Sequence, residues 1–395
     1  MAKSYYEFFC PVKLIAGHMA LEHIPFELAT VSAKRVMIIT DKGVRNNNLL
    51  APIEAAFADA ECVIACIYDD VPPDSSLTTV RRAAQAYRDN QCDALIAVGG
   101  GSVIDTSKGV NILVSEGGDD LMKFSGAHNL TRPLKPFYVI PTTAGTGSEV
   151  TLAAVISDTE KNVKLPFASY FLMPNAAILD PRMTLTLPPH ITAMTAMDAL
   201  THAVEAYTCM AANPVSDAYA FAAIKKISQN LLVVLDNPKD ENARLELAQA
   251  STMAGVAFSN AMVGLVHSLG HATGAVAHLP HGLCMSLYLP YVLEYNMDVN
   301  GDKIAELLLP LAGADVYAAT PADQRARKSI DTIRALRDVL YERTKLPRTL
   351  KETGKVTQAQ IDEIAAKALD DGSIIYNPKE ARIDDLKAVL NKAFG

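Results

Sequence analysis

The sequence predicts an α/β protein in two parts, a parallel-sheet domain over residues 1–185 and an all-helical domain over 186–395. Three observations predict it. Short apolar runs in the first half alternate with helical stretches, the pattern of strand–helix–strand units. Those runs are continuously apolar, as strands covered on both faces are. After Pro188-Pro189 the strand signal stops and the pattern is helical almost to the end.

The expected strands are 36–40, 62–68, 94–98 and 137–140, followed by 147–156 and 176–179. Helical patterns over 77–88 and 103–113 lie between them. In the second half, helices are expected over 191–210, 215–235, 242–260, 264–277, 282–297, 320–344, 357–369 and 382–394. Asn213-Pro214, Asn237-Pro238, Leu279-Pro280 and Asn377-Pro378 punctuate them. No internal repeat or flexible linker interrupts the chain, so a cleft between the two domains is the default ligand site.

Composition narrows the function classes. Of 395 residues, 50% are hydrophobic and 20% charged, which places the chain among soluble globular proteins. The net charge of −8 leaves no basic excess for non-specific binding to nucleic acid or an anionic membrane. Aliphatic runs such as Leu231–Leu235 are too short to span a bilayer, and the first residues show no signal peptide. Six cysteines are sparse for a disulfide framework and read as free thiols in a reducing cytoplasm.

Gly99-Gly100-Gly101-Ser102 joins the strand ending at Val98 to a helix beginning near Val103. Such a turn lets backbone approach a ligand closely, and the helix N-terminus offers unpaired N–H groups to a pyrophosphate. The usual Rossmann fingerprint is not met, because Ile104 stands where its third glycine belongs. Asp41, at the end of the strand over 36–40, could accept from ribose hydroxyls and repel a 2′-phosphate. Taken alone it reads as a turn residue or helix cap. A second small-residue loop, Pro141-Thr142-Thr143-Ala144-Gly145-Thr146-Gly147-Ser148-Glu149, offers hydroxyl and backbone donors to a polar ligand.

Histidines are unevenly placed. Of nine, four lie close together: His267, His271, His278 and His281. Asp198 and His202 are spaced i, i+4, and so are His267 and His271, which puts each pair on one helix face. Glu205 lies near the first stripe as a supporting or surface residue. Mixed oxygen and imidazole donors suit Fe²⁺ or Zn²⁺ rather than Ca²⁺ or Mg²⁺. Spacing alone leaves open which of the four clustered histidines bind.

Together these motifs resemble the iron-containing (group III) alcohol dehydrogenase family. The matching segments are Gly99–Asp105, Pro141–Glu149, Asp198-Ala-Leu-Thr-His202, Gly264-Leu-Val-His-Ser-Leu-Gly-His271 and Pro280-His281-Gly282. The resemblance covers essentially the whole chain, with these segments in the right order. The resemblance implies a Rossmann-like first domain and a helical second one, the architecture of dehydroquinate synthase. It implies Asp198, His202, His267 and His281 as metal ligands, with His271 beside the metal in the substrate pocket and able to assist proton movement. Asp41 would contact the adenosine ribose of NAD, and Gly99, Gly100, Gly101, Ser102 and Asp105 belong to the pyrophosphate turn. Thr142, Thr143, Thr146, Thr151 and Lys164 match positions lining the cofactor, and Phe258 a pocket wall. His278 has no family role.

The chain departs from the family in two places. Val103 stands where some members carry proline, and Pro72–Ser76 differs from their Pro-Asn-Pro. The implied reaction is hydride transfer between NAD and a short primary alcohol, diol or aldehyde, assisted by Fe²⁺ or Zn²⁺, in a homodimer or larger homo-oligomer. Three other functions remain to be weighed: a lyase resembling dehydroquinate synthase, a metal-dependent hydrolase without NAD, and a non-catalytic assembly protein.

Overall fold

The strands expected over 36–40, 94–98, 137–140 and 176–179 all form, and each is buried along almost its whole length. The computed structural model describes residues 5–158 and 163–395. Cys10–Thr186 form one compact unit; Leu187–Gly395, with the residues through Phe9, form a second.

The first unit is built on a six-stranded parallel sheet. Its strands are β1 (Lys13–Ala16), β2 (Arg35–Ile39), β3 (Val63–Tyr68), β4 (Ala94–Gly99), β6 (Phe137–Pro141) and β9 (Ala176–Leu179), in the order β1-β9-β6-β4-β2-β3. Residues alternate between two cores. Met37, Ile39, Leu95 and Ala97 face one, which is closed by α4 (Leu77–Asp89) and α5 (Gly101–Glu116). Val36, Ile38, Ile96 and Val98 face the other, closed by α1 (Ile24–Thr30), α2 (Lys42–Asn46) and α3 (Ala51–Ala56). That two-sided burial is why the sequence reads as unbroken apolar runs. β3 is the exception: it lies at the sheet edge, its residues only half-covered and Val63 exposed.

A smaller sheet orders β5 (Gly126–Ala127), β8 (Val163–Ala168) and β7 (Ala153–Asp158), with β7 antiparallel to β8. The strand expected over 147–156 is therefore corrected. Gly147 adopts φ +62°, Ser148–Val150 form a 3-10 turn, and extended backbone starts only near Thr151.

The second unit is helical: α6 (Pro189–Thr208), α7 (Pro214–Asp236), α8 (Glu241–Ala261), α9 (Leu265–Ala277), α10 (His281–Glu306), α11 (Leu308–Ala312), α12 (Ala314–Ala319), α13 (Arg325–Thr344), α14 (Ile361–Leu369) and α15 (Ile383–Phe394). Prolines at 189 and 214 sit in first turns, where the missing N–H costs nothing. Helix α7 is long and apolar enough to cross a membrane. It carries Lys225-Lys226 at its middle and packs against α6 and α8. All six cysteines are free thiols.

Candidate active site

In the first unit, β3 lies on one side of β2 and β4 on the other, so strand order reverses between β2 and β4. Open α/β sheets take ligands at the carboxyl ends of such a pair. Thr40 Oγ1 donates to Val98 O at 2.6 Å and ties the two ends together. Asp41 follows and caps α2, its Oδ1 accepting from Val44 N at 2.9 Å.

Across from Asp41, the glycine turn is shaped by close packing and not by left-handed backbone. A Cβ on Gly99 would come within 2.5 Å of Val103, and one on Gly101 within 3.0 Å of Thr146. Thr143 lies at ordinary contact distance from Gly100, and Thr142 N donates to Gly99 O at 3.1 Å. The two small-residue loops thus lie against each other at the N-terminus of α5. Ser102 Oγ donates to Pro73 O.

Two expected cofactor residues have their polar atoms engaged inside the protein. Asp105 accepts from Ser148 Oγ at 2.9 Å and Val155 N at 3.0 Å, and burial pushes its carboxyl up. Thr151 Oγ1 accepts from Lys108 Nζ at 3.0 Å. Lys164, on β8, is exposed and stands 3.6 Å from Asp74.

Lys108 is a structural residue that no sequence motif marks. It is fully buried, and its ammonium donates to Ser148 O at 2.9 Å, Thr151 O at 2.8 Å and Ala153 O at 2.7 Å. It therefore nails the end of the hydroxyl loop to α5. The available signal was a lysine three residues after Asp105, within a helix expected to be covered by the sheet.

In the second unit, Asp198, His202, His267 and His281 offer ligand atoms that all lie within 4.8 Å of one another. The first two project from α6, the third from the first turn of α9, and His281 opens α10. His278 ends α9 in left-handed backbone, φ 52° and ψ 41°, and the chain turns there through Leu279-Pro280 into α10. Asp198, His202 and His267 are buried, while the His281 side chain is 40% exposed.

Glu205, one turn beyond His202, organises the far side. Its Oε2 lies 2.5 Å from His267 Nδ1 and its Oε1 accepts from Val266 N at 2.7 Å. One carboxylate thereby satisfies an N–H at the start of α9 and leaves His267 Nε2 for the cluster. Burial lifts the Glu205 carboxyl to about 7 and drives His267 well below the ordinary histidine value, so its imidazole is neutral.

A divalent metal fits these residues. His267 Nε2 is buried with no hydrogen-bond partner. His281 Nε2 stands 3.3 Å from Asp198 Oδ1. Two ligands on one tetrahedral ion are separated by about 3.4 Å when each bond is about 2.1 Å. Phe258, on α8, stacks on His202 with ring centroids 4.4 Å apart. His271 lies beside the cluster, its ring stacked on His281 at 5.3 Å, and its Nδ1 is 2.9 Å from Asp371 Oδ2. Asp371, in the turn after α14, gave no local sign in the sequence of a histidine partner a hundred residues away.

Comparison with known proteins agrees with this geometry. The family "Iron-containing alcohol dehydrogenase" matches residues 11–181, and "Fe-containing alcohol dehydrogenase family, C-terminal" matches 192–394. A 1,3-propanediol dehydrogenase of Klebsiella pneumoniae is 35% identical over 100% of both chains. An NAD-dependent methanol dehydrogenase of Bacillus methanolicus is 33% identical over 98% of this chain and 99% of its own. The solved structure of a 1,3-propanediol oxidoreductase superposes with TM-score 0.93 at 34% identity, covering 99% of this chain and 100% of the other. These likenesses support a dehydrogenase over a lyase or a hydrolase. The chain belongs to the iron-containing alcohol dehydrogenase family, oxidoreductases acting on CH–OH groups.

Proposed function

We propose that this chain interconverts a short primary alcohol or diol and its aldehyde with NAD, using a divalent ion held by Asp198, His202, His267 and His281. The observation that carries the assignment is the four-residue cluster with its buried, unsatisfied His267 Nε2. Relatives named for methanol and 1,3-propanediol support the substrate class. In the same reading, residues 1–185 are the dinucleotide-binding domain and 186–395 the metal- and substrate-binding domain. The enzyme works in the cytoplasm as a homodimer or larger homo-oligomer.

Bound at the cluster, the ion supplies a Lewis acid for the substrate oxygen, and the nicotinamide takes or returns the hydride. Fe²⁺ and Zn²⁺ both accept this donor set, and the family points to Fe²⁺. Glu205 holds His267 in the tautomer that binds through Nε2. Phe258 gives the pocket an apolar wall and helps to exclude water. His271 accepts the hydroxyl proton in oxidation and returns it in reduction. Asp41 accepts from the adenosine ribose and disfavours a 2′-phosphate. Gly99, Gly100, Gly101 and Ser102 present backbone N–H groups to the pyrophosphate, and Thr142, Thr143 and Thr146 line its loop. Asp105 and Thr151 shape that loop from inside, and Lys164 reaches the cofactor from β8.

The test is NADH oxidation with a panel of short aldehydes on anaerobically prepared protein. It is run before and after chelation, with Fe²⁺ or Zn²⁺ restored separately. Activity lost on chelation and regained with one metal is expected. NADH binding without turnover in every metallated sample would instead favour the lyase chemistry.

A further inference from the structure

We propose that Asp371 is a positioning residue for the reaction: it holds His271 with the proton on Nδ1 and so leaves Nε2 as the atom that exchanges the substrate's proton. The proposal rests on the reading of His271 as the proton carrier.

The geometry is specific. Asp371 Oδ2 lies 2.9 Å from His271 Nδ1, and its Oδ1 accepts from Ser373 N at 2.8 Å. Ser268, one turn before His271 on α9, donates from Oγ to Ala368 O at 3.1 Å. Two bonds from one side of α9 thus seat the end of α14 and the following turn against that helix. The His271 ring is fixed from its other sides by His281, stacked at 5.3 Å, and by His267, edge-on at 5.7 Å.

Ionisation decides the tautomer. Asp371 is partly exposed and its second oxygen accepts from Ser373 N, a setting in which a carboxyl stays ionised at neutral pH. An ionised carboxylate only accepts hydrogen bonds, so the proton between the pair belongs to Nδ1. Neutral His271 then has its lone pair on Nε2. When an alcohol is oxidised, the carbinol hydrogen leaves with its electron pair to NAD⁺ and the hydroxyl proton goes to Nε2. The products are aldehyde, NADH and an imidazolium whose charge Asp371 balances. The His271 side chain is 43% exposed, so that proton can pass on to solvent.

The experiment compares metal-loaded wild type, Asp371→Asn, Asp371→Ala, His271→Ala and the double variant His271→Ala/Asp371→Ala, with propanal and NADH. His271→Ala should lower kcat about 100-fold. Asp371→Ala should lower it about tenfold, with unchanged metal content and KM for NADH. The double variant should be no slower than His271→Ala, because Asp371 acts only through that ring. Nitrogen-15 NMR of histidine-labelled protein should show His271 as the Nδ1–H tautomer in wild type and a mixture in Asp371→Asn, a readout independent of activity. Wild-type kcat in Asp371→Ala, or a double variant slower than His271→Ala by the full Asp371 factor, overturns the proposal. An unimpaired His271→Ala overturns the proton-carrier reading itself.

Discussion

Glu205 Oε2 stands 2.5 Å from His267 Nδ1, while Oε1 of the same carboxylate receives Val266 N at 2.7 Å. A single side chain on α6 therefore sets both where α9 begins and which nitrogen of His267 is free. The backbone at Gly264 comes close to make this possible, since a Cβ there would lie 3.1 Å from Glu205 Oε1.

Replacing that carboxylate should loosen the metal before it touches the cofactor. Glu205→Gln is expected to weaken metal affinity by about 10–100-fold, the usual cost of losing a ligand's hydrogen-bond partner. Metal retained against a graded chelator series, measured beside NADH binding, checks this. Unchanged retention would show that Glu205 is dispensable to the site.

Gly282 places His281. A Cβ at Gly282 would lie 2.6 Å from Met194 O, one turn before Asp198 on α6. Backbone cannot yield as a flexible side chain can, so Gly282→Ala must push α10 away from α6. A loss of about 1–3 kcal/mol in stability is expected, with metal bound more weakly than in wild type. Denaturant melts and metal content report the two effects separately.

Lys108 gives the protein a pH signature on the alkaline side. Burial lowers its pKa to about 8, against the attraction of Asp105 and Glu149. The unfolded chain holds this proton up to its ordinary value near 10.5, so between about pH 8 and 10.5 it binds more protons than the folded one. Stability from this group therefore rises with pH across that window and is flat below it. The total change is on the order of 3 kcal/mol. Lys108→Met removes the titration. The stability difference between wild type and variant, from urea unfolding at about pH 7.5 and pH 10, should shift in favour of wild type at the higher pH. A constant difference would contradict the assignment.

His278 closes α9 in left-handed backbone. Its φ of 52° is the left-handed conformation that glycine adopts without penalty, and its N–H bonds to Gly274 O at 3.0 Å. His278→Gly should keep full metal content and gain up to about 1 kcal/mol in stability. Loss of metal in this variant would place His278 in the centre.

Local pattern was enough for the elements that carry the fold. β2, β4, β6 and β9 are legible because strands covered on both faces must be apolar throughout. α6 and α9 are legible because their i, i+4 donor pairs follow the helical period. β1 and β8 are not legible in the sequence, since an edge strand and a half-exposed one bearing Pro166 need no continuous apolar run. The strand expected from residue 147 began later, because the hydroxyl loop ends in a 3-10 turn pinned by a lysine forty residues earlier.

By itself the sequence determined the class of chemistry: glycines before a helix, an acid after a strand, and carboxylate and imidazole at helical spacing. Tertiary structure alone decided which distant groups meet. It gave His278 to a helix end, set Glu205 behind His267 and brought Asp371 to His271. Spacing along a helix is a property of neighbours in the chain. A hydrogen bond between residues a hundred positions apart exists only once packing has chosen which helix faces touch.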